Sequence, residues 1–255
     1  MAGLLGNRKL VAIDYDSREV RLVVFRLVRK VPTILAAESV TVEEGLDIAD
    51  AEALGRFLRP TIGRLGLRHA AAVMCVGRTQ AVLKSLQLPA EETGELAAMV
   101  QFQVSRELPF PAEEGVVDFT RAEHFDVSES AETGGTPVLA AAVRLEAVDV
   151  ARRLCDQAGL RLERLGLRPQ ANLRAVGQCV RTEPGERLLL VNITANEVEI
   201  DVFANETLEF SRAATLAVPG AADDGGDRQG AIRRVVLEVN RSLQSFQAMQ
   251  GGGQV

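Results

Sequence analysis

The chain contains few of the residues on which common kinds of functional site depend. Its 255 residues include no tryptophan, one tyrosine, three cysteines and two histidines. Cys75, Cys155 and Cys179 are far apart and have apolar neighbours, which favours a reducing compartment and argues against a disulfide framework or a zinc site. No metal-binding or hydrolase motif surrounds His69 or His124, so the sequence predicts no catalytic set and no metal site.

Positive charge and long apolar runs are also scarce. The net charge is −6, which argues against a nucleic-acid partner bound through a dominant basic surface. No apolar run approaches the ~20 residues that a membrane helix needs. The first ten residues do not have the pattern of a secretory signal. We therefore predict a cytoplasmic protein that reaches a membrane only through a partner.

What the chain does contain is a regular succession of strand and helix patterns. Hydrophobic residues make up 47% of the sequence, which is typical of a globular protein. Alternating apolar residues predict strands, and apolar residues spaced by three and four predict helices. The predicted strands are 9–14, 20–28, 33–42, 70–76, 80–87, 115–121, 136–144, 160–166, 187–193, 198–203 and 207–216. The predicted helices are 51–65, 90–108, 146–158, 169–180 and 231–250.

The opening pair of strands recurs 178 residues later. The segment LVAIDYDSREVRLVVF at 10–25 aligns without a gap with LLLVNITANEVEIDVF at 188–203, with five identical positions. A third strand and then helical sequence follow in both copies. Two unrelated buried hairpins can share such a pattern, but two halves that each begin with three strands are typical of the actin, Hsp70 and sugar-kinase class.

In that class, the turn of each hairpin binds nucleotide phosphates, and an aspartate at the end of each first strand handles the metal. Asp14 and Ser17 are the candidates in the first turn, where Asp16 stands at the position of a glycine. In the second turn, Asn192 replaces the carboxylate and Thr194 replaces the glycine. Ordinary turns also use these residue types, so plain hairpins without nucleotide are the favoured interpretation.

The most specific stretch is LPAEETGELAAMVQFQVSRELPFPAEEGVVDF at 88–119, followed by VLAAAVR at 138–144. It resembles the PilM family of type IV pilus assembly proteins, which are actin-like and related to FtsA. Members carry a helix ending in Glu-x-Ile/Leu-Pro-Phe, a strand ending in Asp-Phe and a strand ending in Ala-x-Arg. Residues 107–110, 118–119 and 142–144 match that order, and the resemblance extends over about 10–246.

The resemblance also identifies departures in both phosphate loops. The family's first loop reads Asp-x-Gly-Ser with a lysine at the position of Arg21, and its second loop reads Asp-x-Gly. We therefore predict that this chain needs no cofactor and does not hydrolyse ATP. The candidate cofactor-binding residues, as vestigial phosphate-loop positions, are Asp14, Ser17, Arg21, Asn192 and Thr194.

The resemblance implies an α/β, actin-like (ribonuclease H-like) fold with two lobes, an inserted α+β subdomain and an incomplete second lobe. The first core subdomain would comprise 1–85 and 166–186, the inserted subdomain 86–165, and the start of the second lobe 187–255. The family continues beyond this point with a Gly-Gly adenosine loop. Helix 90–108 should pack against strands 115–121 and 136–144 through Leu96, Met99, Val100 and Val104.

The implied function is that of a scaffold in a type IV pilus or type II secretion-like inner-membrane platform. In such a platform, the protein would bind the cytoplasmic tail of a PilN-like bitopic membrane protein. Other pilus or secretion platform proteins and a second copy of the chain are further candidate partners. Two alternatives remain open at this stage. In the first, the chain is an active ATPase that binds Mg-ATP. In the second, it is the cytoplasmic domain of a GspL-type secretion component.

Overall fold

The computed structural model describes residues 8–29, 31–121, 135–183, 185–204, 207–218 and 227–251, so His124 lies outside the described residues. The strands are β1 (Leu10–Tyr15), β2 (Glu19–Val28), β3 (Val31–Thr41), β4 (Ala71–Val76), β5 (Ala81–Leu88), β6 (Gly115–Arg121), β7 (Thr136–Arg144), β8 (Arg161–Leu167), β9 (Arg187–Ile193), β10 (Glu197–Ala204) and β11 (Thr207–Thr215). The helices are α1 (Ala51–Arg64), α2 (Thr93–Ser105), α3 (Leu145–Ala158), α4 (Arg168–Cys179) and α5 (Arg228–Gly251). Every predicted strand and helix is present, with ends displaced by at most three residues.

The elements divide into two compact units, which are described separately. The first unit is formed by Met1–Val76 and Glu146–Gly166. Its five-stranded sheet has the order β3-β2-β1-β4-β8. Strands β1, β2 and β3 form an antiparallel meander, and β4 runs parallel to β1. A parallel neighbour requires a crossover connection, which α1 provides between β3 and β4.

The core of the first unit lies between one face of this sheet and the helices α1 and α3. Alternate residues of β1 and β2 are buried there, which explains the alternating sequence pattern. Helix α1 begins at Asp50, whose carboxylate accepts hydrogen bonds from the N–H groups of Glu52 and Ala53. The two helices touch at Gly55, where a Cβ atom would lie 2.5 Å from the carbonyl oxygen of Leu154. Glycine is therefore required at this contact.

The second unit is formed by Gly77–Leu145 and Leu167–Val255 and contains two three-stranded sheets. In the sheet β5-β7-β6, both pairs of neighbours are antiparallel, and α2 packs against it. Leu96, Val100 and Val104 of α2 are buried in that contact and Met99 is partly buried, as predicted. The other sheet, β11-β10-β9, is an antiparallel meander that contacts α4 and α5.

The boundaries of the units differ from the predicted subdomain limits at 86 and 166. Helix α3 buries Leu154 and Cys155 in the core of the first unit, and β8 joins the edge of that unit's sheet beside β4. Strand β5, assigned in the prediction to the first core, belongs instead to the small sheet with β6 and β7. The reason is physical: an apolar helical face records that a helix is buried, but not which sheet buries it.

The predicted repeat is confirmed in the pairing of the strands. Leu10 lies opposite Phe25 in the first hairpin, and Leu188 lies opposite Phe203 in the second, which preserves the offset of 178 residues. In both copies, the pairing with the third strand shifts register directly before the phenylalanine. A β-bulge is a specific feature of a strand, so its recurrence supports a common backbone plan.

Candidate functional site

The first candidate loop is the turn between β1 and β2, and its N–H groups are occupied by its own side chain. The N–H of Asp16 donates to the carbonyl oxygen of Glu19 at 3.1 Å. The Asp16 Oδ1 atom accepts hydrogen bonds from the N–H groups of Arg18, at 2.8 Å, and Glu19, at 3.2 Å. The residue is only 8% exposed. A carboxylate therefore fills the concave side of the turn, where a phosphate would need the same donors.

Arg21 forms ion pairs with the three acidic residues around this turn. It lies opposite Asp14 across the two strands. Its guanidinium group contacts Asp14 Oδ2 at 2.7 Å, Asp16 Oδ2 at 3.0 Å and Glu19 Oε1 at 2.8 Å. Three carboxylates thus surround one cation, so the position that would favour a metal ion already holds a positive charge.

The protonation of these groups follows from the same contacts. Burial alone would raise the pKa of Asp16, but hydrogen bonds from the Arg18 N–H and the Arg21 guanidinium outweigh burial and lower it. Burial alone would lower the pKa of Arg21, and hydrogen bonds to Glu19, Asp14 and Asp16 outweigh burial and raise it. Asp16 and Arg21 are therefore held in their ionised forms.

The second candidate loop, between β9 and β10, is closed in the same way by Thr194. Its N–H donates to the Glu197 carbonyl oxygen at 2.9 Å. Its hydroxyl oxygen accepts from the Glu197 N–H at 3.1 Å and donates to the Glu197 carbonyl, also at 3.1 Å. Thr194 is equivalent to Asp16 in the repeat, and Glu197 is equivalent to Glu19. Both turns therefore replace a glycine with a residue whose side chain binds the turn's own backbone.

Of the five predicted site residues, the structure brings Asp14 and Arg21 into direct contact. Ser17 is exposed at the tip of the same turn. Asn192 lies opposite Glu199 in the second hairpin, and Thr194 forms the turn beside it. These two groups of residues belong to different compact units.

A buried charge cluster in the second unit was not predicted from the sequence. Glu199 is 1% exposed and Asp201 is 0% exposed. The amide nitrogen Nδ2 of Asn172 on α4 donates to both carboxylates, at 2.9 Å and 3.0 Å. Ser211 on β11 donates to Asp201 at 2.7 Å. The acidic face of β10 is therefore covered by a polar patch of α4 rather than by solvent.

Two arginines complete this charge cluster. The Arg168 guanidinium lies 2.9 Å from Glu197 Oε1 and 3.8 Å from Glu199 Oε2. The N–H of Arg78 donates to Glu199 Oε2 at 3.1 Å. Gly77 allows the Arg168 guanidinium to approach the acidic residues, because a Cβ atom at position 77 would lie 2.9 Å from the Arg168 Nη1 atom. The cluster therefore brings three carboxyl groups together with the Arg168 guanidinium and the backbone N–H of Arg78.

Burial dominates the protonation of the cluster. Burial and, to a smaller extent, the neighbouring Asp201 charge raise the pKa of Glu199 to about 8, against the opposing effects of the Arg78 N–H hydrogen bond and the Arg168 charge. Burial also raises the pKa of Asp201, although Asn172 and Ser211 stabilise its ionised form. Above about pH 4, Glu199 and Asp201 together therefore hold more protons than two exposed carboxyl groups, which release their protons near that pH. The sequence signal for this cluster is the run Glu197, Glu199 and Asp201 on one face of a strand.

The remaining reactive residue types show no catalytic arrangement within the described residues. Burial, assisted by Asp156, raises the pKa of the Cys155 thiol to about 12, which makes it a poor nucleophile. His69 has a φ of 60° in a turn, where its N–H donates to the Gly159 carbonyl. No group of three histidine, cysteine or acidic residues in the described ranges could hold a metal ion. No described helix is long and apolar enough to cross a membrane.

The motifs that carry the family resemblance meet around α2 and its sheet. The Arg144 guanidinium lies 4.4 Å from the centre of the Phe110 ring and 3.0 Å from Glu114. Lys84 pairs with Glu107. A Cβ atom at Gly115 would lie 2.8 Å from the Phe110 ring. These motif residues therefore hold the end of α2 against the small sheet.

Comparison with known proteins agrees with these observations. A family model described as Type IV pilus assembly protein PilM matches residues 12–218. The chain is similar to the solved PilM–PilN type IV pilus biogenesis complex, with 22% identity, a TM-score of 0.72, and coverage of 92% of this chain and 75% of that chain. It is also similar to the cytoplasmic domain of EpsL, an inner-membrane component of the type II secretion system of Vibrio cholerae, with 12% identity, a TM-score of 0.50, and coverage of 81% and 71%.

A third similar structure is a Bacteroides thetaiotaomicron protein of unknown function with an actin-like ATPase fold. It has 8% identity and a TM-score of 0.45, with coverage of 94% of this chain and 80% of that chain. No curated protein matches the sequence. The chain has the α/β, actin-like fold that the sequence predicted.

Proposed function

Since the chain belongs to the PilM family of type IV pilus assembly proteins, we propose that it is an actin-like scaffold of an inner-membrane platform. In this role it lies at the cytoplasmic face of the membrane and binds the cytoplasmic tail of a PilN-like membrane protein. Its contribution is binding rather than ATP hydrolysis.

We infer that the chain does not hydrolyse ATP because the Asp16 carboxylate closes the first turn. The Asp16 carboxylate accepts from the N–H groups of Arg18 and Glu19, so a phosphate would have to displace it from both. Two negative groups a few ångströms apart repel each other by about 1 kcal/mol even in water, and by more in a partly buried turn. Asn192 adds no carboxylate for magnesium in the second turn. The residues present do not fit Mg-ATP.

The partner is proposed from the similarity to the PilM–PilN complex together with the matching family model. A type II secretion component of the GspL kind is less well supported, because the family model that matches is that of PilM. The likeness to the EpsL cytoplasmic domain extends to the fold.

Binding of the partner is tested with the cytoplasmic tail of a PilN-like protein from the same genome, prepared as a synthetic peptide. Isothermal titration calorimetry should give a dissociation constant near 1 µM, which corresponds to roughly −8 kcal/mol. A peptide of the same composition in scrambled order is the matched control. If the native and scrambled peptides bind equally, or neither binds, the scaffold proposal is wrong.

Nucleotide binding is tested separately by calorimetry with Mg-ATP. The unaltered chain should give no binding heat at physiological ATP concentrations. The triple variant Asp16→Gly, Asn192→Asp, Thr194→Gly should recover some binding, because it reopens both turns and restores a carboxylate. Tight binding by the unaltered chain that is abolished by Asp14→Ala would show instead that the protein is an active nucleotide-binding member of its class.

A further inference from the structure

The hairpin formed by β2 and β3 extends beyond the core of the first unit. Alternate residues of β2 from Val20 to Val24 are buried against the helices. Arg26 and Val28 continue the same face of the strand, but both are exposed. The strands remain paired up to Val28 and Val31, on either side of the turn. The tip of the hairpin therefore lies beyond the part of the sheet that the helices cover.

This tip combines apolar and basic side chains at the surface. Val28 is 42% exposed, Val31 is 63% exposed and Ile34 is 69% exposed. Arg26 and Arg29 are also exposed, and neither forms an ion pair with another described residue. The sequence from 26 to 35 contains three basic residues and no acidic residue. Apolar side chains among cations suit a surface that is anionic outside and apolar beneath.

The second meander shows that the fold does not require such a tip. The pairing of β10 with β11 ends at Ala204 and Thr207, which are only 7% and 8% exposed. The two residues between them in the sequence are Asn-Glu, where the first meander has Arg-Lys at 29–30. Asparagine suits a two-residue hairpin turn, whereas Arg29 adopts a φ of 51° that long side chains rarely take. The basic, exposed tip is therefore particular to the first hairpin.

The same end of the first unit's sheet carries further positive charge. Lys9 and Arg68 are exposed directly before β1 and β4, which start at this end because they run parallel to each other and antiparallel to β2. Two acidic residues of the neighbouring strands, Glu38 and Glu163, are each paired with an arginine. The acidic turn at Asp16 lies at the opposite end of the sheet. Positive charge is thus concentrated around the β2–β3 tip, although the whole chain is acidic.

We propose that the β2–β3 tip contacts an anionic phospholipid membrane. Arg26 and Arg29 lie among the phosphate groups, and Val28, Val31 and Ile34 reach the boundary with the acyl chains. The inference rests on the proposed function, which places the chain beside a membrane, and it adds a direct lipid contact to the attachment through the partner. One such contact is weak, because stable attachment to a membrane takes two signals. The tip therefore orients a chain that its partner has recruited.

A lipid surface explains the tip better than a nucleic acid does. A phosphate backbone would pair with the arginines, but it would leave the three exposed apolar side chains in water. The net charge of −6 also opposes binding to a long polyanion.

The test is sedimentation of the chain with vesicles of phosphatidylglycerol and phosphatidylcholine in equal amounts. The unaltered chain should bind these vesicles, should not bind vesicles of phosphatidylcholine alone, and should bind less as the salt concentration rises. Each basic residue near an anionic surface strengthens binding roughly fivefold, so Arg26→Gln, Arg29→Gln should weaken it roughly 25-fold. Arg233→Gln, Arg234→Gln is the matched control, because it removes the same charge from exposed positions of α5 and should leave binding unchanged.

The apolar contribution is tested with Val31→Thr, Ile34→Thr. Threonine keeps the β-branched shape that suits a strand, so circular dichroism should be unchanged. Binding to the anionic vesicles should fall several-fold, since the altered side chains no longer favour the acyl boundary.

Three outcomes would overturn the proposal. The unaltered chain could fail to bind anionic vesicles, or could bind phosphatidylcholine equally well. The α5 control could lose as much binding as the tip variant, which would assign the effect to net charge. Duplex DNA could displace the vesicles while the threonine variant binds normally, which would identify a nucleic-acid surface. The experiment contains no PilN-like peptide, so its failure would leave the peptide test of the proposed function unaffected.

Discussion

The two hairpins of the repeat have one backbone plan and opposite electrostatics. Arg21 and Glu199 occupy equivalent positions, and each lies opposite an equivalent residue of the first strand, Asp14 or Asn192. Arg21 is a cation among carboxylates, while Glu199 is an acidic residue near the Arg168 guanidinium and the backbone N–H of Arg78. Strand pairing and apolar alternation evidently preserve the hairpin, whereas its polar face keeps one shared glutamate, Glu19 or Glu197, and differs around it.

The difference in burial should make the two polar faces unequal in energy. About a third of the Arg21 side chain is exposed, so water screens its ion pairs. Arg168 is 15% exposed and lies 2.9 Å from Glu197, which is 13% exposed, so its loss would leave a largely buried carboxylate without its partner. The comparison therefore predicts a ranked series of effects.

The largest effect is expected for Arg168→Met. Breaking a buried ion pair from one side costs about 3–5 kcal/mol, because the remaining charge stays buried. The matched variant Arg21→Met should cost only about 1 kcal/mol, since its partners are more exposed. Urea unfolding followed by circular dichroism measures both. Equal losses in the two variants would mean that the polar faces do not differ as the burial suggests.

The apolar faces, by contrast, should behave alike. Leu22 and Ile200 are equivalent in the repeat and are each 1% exposed. Leu22→Ala and Ile200→Ala should each lower the free energy of unfolding by about 3 kcal/mol, through lost burial and the cavity left behind. The same urea experiment compares them. A loss at one position several times that at the other would show that the two hairpins are not packed equivalently.

A further effect is expected in the response of stability to pH. The pKa of Glu199 is raised from 4.5 to about 8 by burial, so the folded chain holds a proton that the unfolded chain releases. This stabilisation is complete below pH 4.5 and is lost as the pH rises through 8. The melting temperature of the unaltered chain should therefore fall as the pH rises over that interval. Glu199→Gln should flatten this dependence of the melting temperature on pH.

Asp16 should show the opposite sign. Its pKa is lowered from 3.8, so its contribution is present above that value and is lost as the pH falls through the lower folded-state pKa. Asp16→Asn should therefore change the acid limb alone and serves as the matched control for Glu199→Gln. An unchanged slope between pH 4.5 and 8 in Glu199→Gln would contradict the assignment of that slope to the buried cluster.

The smallest effects are expected at the turns. Thr194→Ala removes two hydrogen bonds to the Glu197 backbone and should cost roughly 0.5–1 kcal/mol. Asp16→Ala removes charged contacts to Arg18, Glu19 and Arg21 and should cost somewhat more, about 1–2 kcal/mol. Thermal unfolding of the two single variants ranks them. A larger loss for Thr194→Ala would reverse the comparison of the two turns.

The sequence was sufficient for the features that depend on local pattern. The alignment of 10–25 with 188–203 predicted two equivalent hairpins, and their registers are equivalent because pairing follows the alternation of apolar residues. The replacement of both loop glycines was also visible. That Asp16 and Thr194 bind their own turns could be learned only from the coordinates, since a turn residue can equally face outward.

Features that depend on distant segments were not predicted. Glu197, Glu199 and Asp201 alternate with apolar residues, and such a strand is ordinarily interpreted as having a solvated polar face. That face is buried because α4 places Asn172 and Arg168 against it. The predicted subdomain limit at 166 differs from the unit boundary near Leu145 for a related reason, because nothing local to α3 identifies the sheet it covers.

The interleaving of the first unit's two segments has a consequence for how the chain is made. Strand β4 ends at Val76, and its neighbour β8 begins at Arg161, whose N–H donates to the Ala70 carbonyl. At a translation rate of about 5–20 residues per second, the ribosome takes roughly 4–17 s to add the intervening residues. Throughout that time, β4 emerges with one side of its backbone unpaired while β5, β6 and β7 are still being synthesised. If synthesis stops within this interval, the first sheet lacks β8, and β4 stays unpaired on one side. Such an incomplete chain is a natural substrate for chaperones.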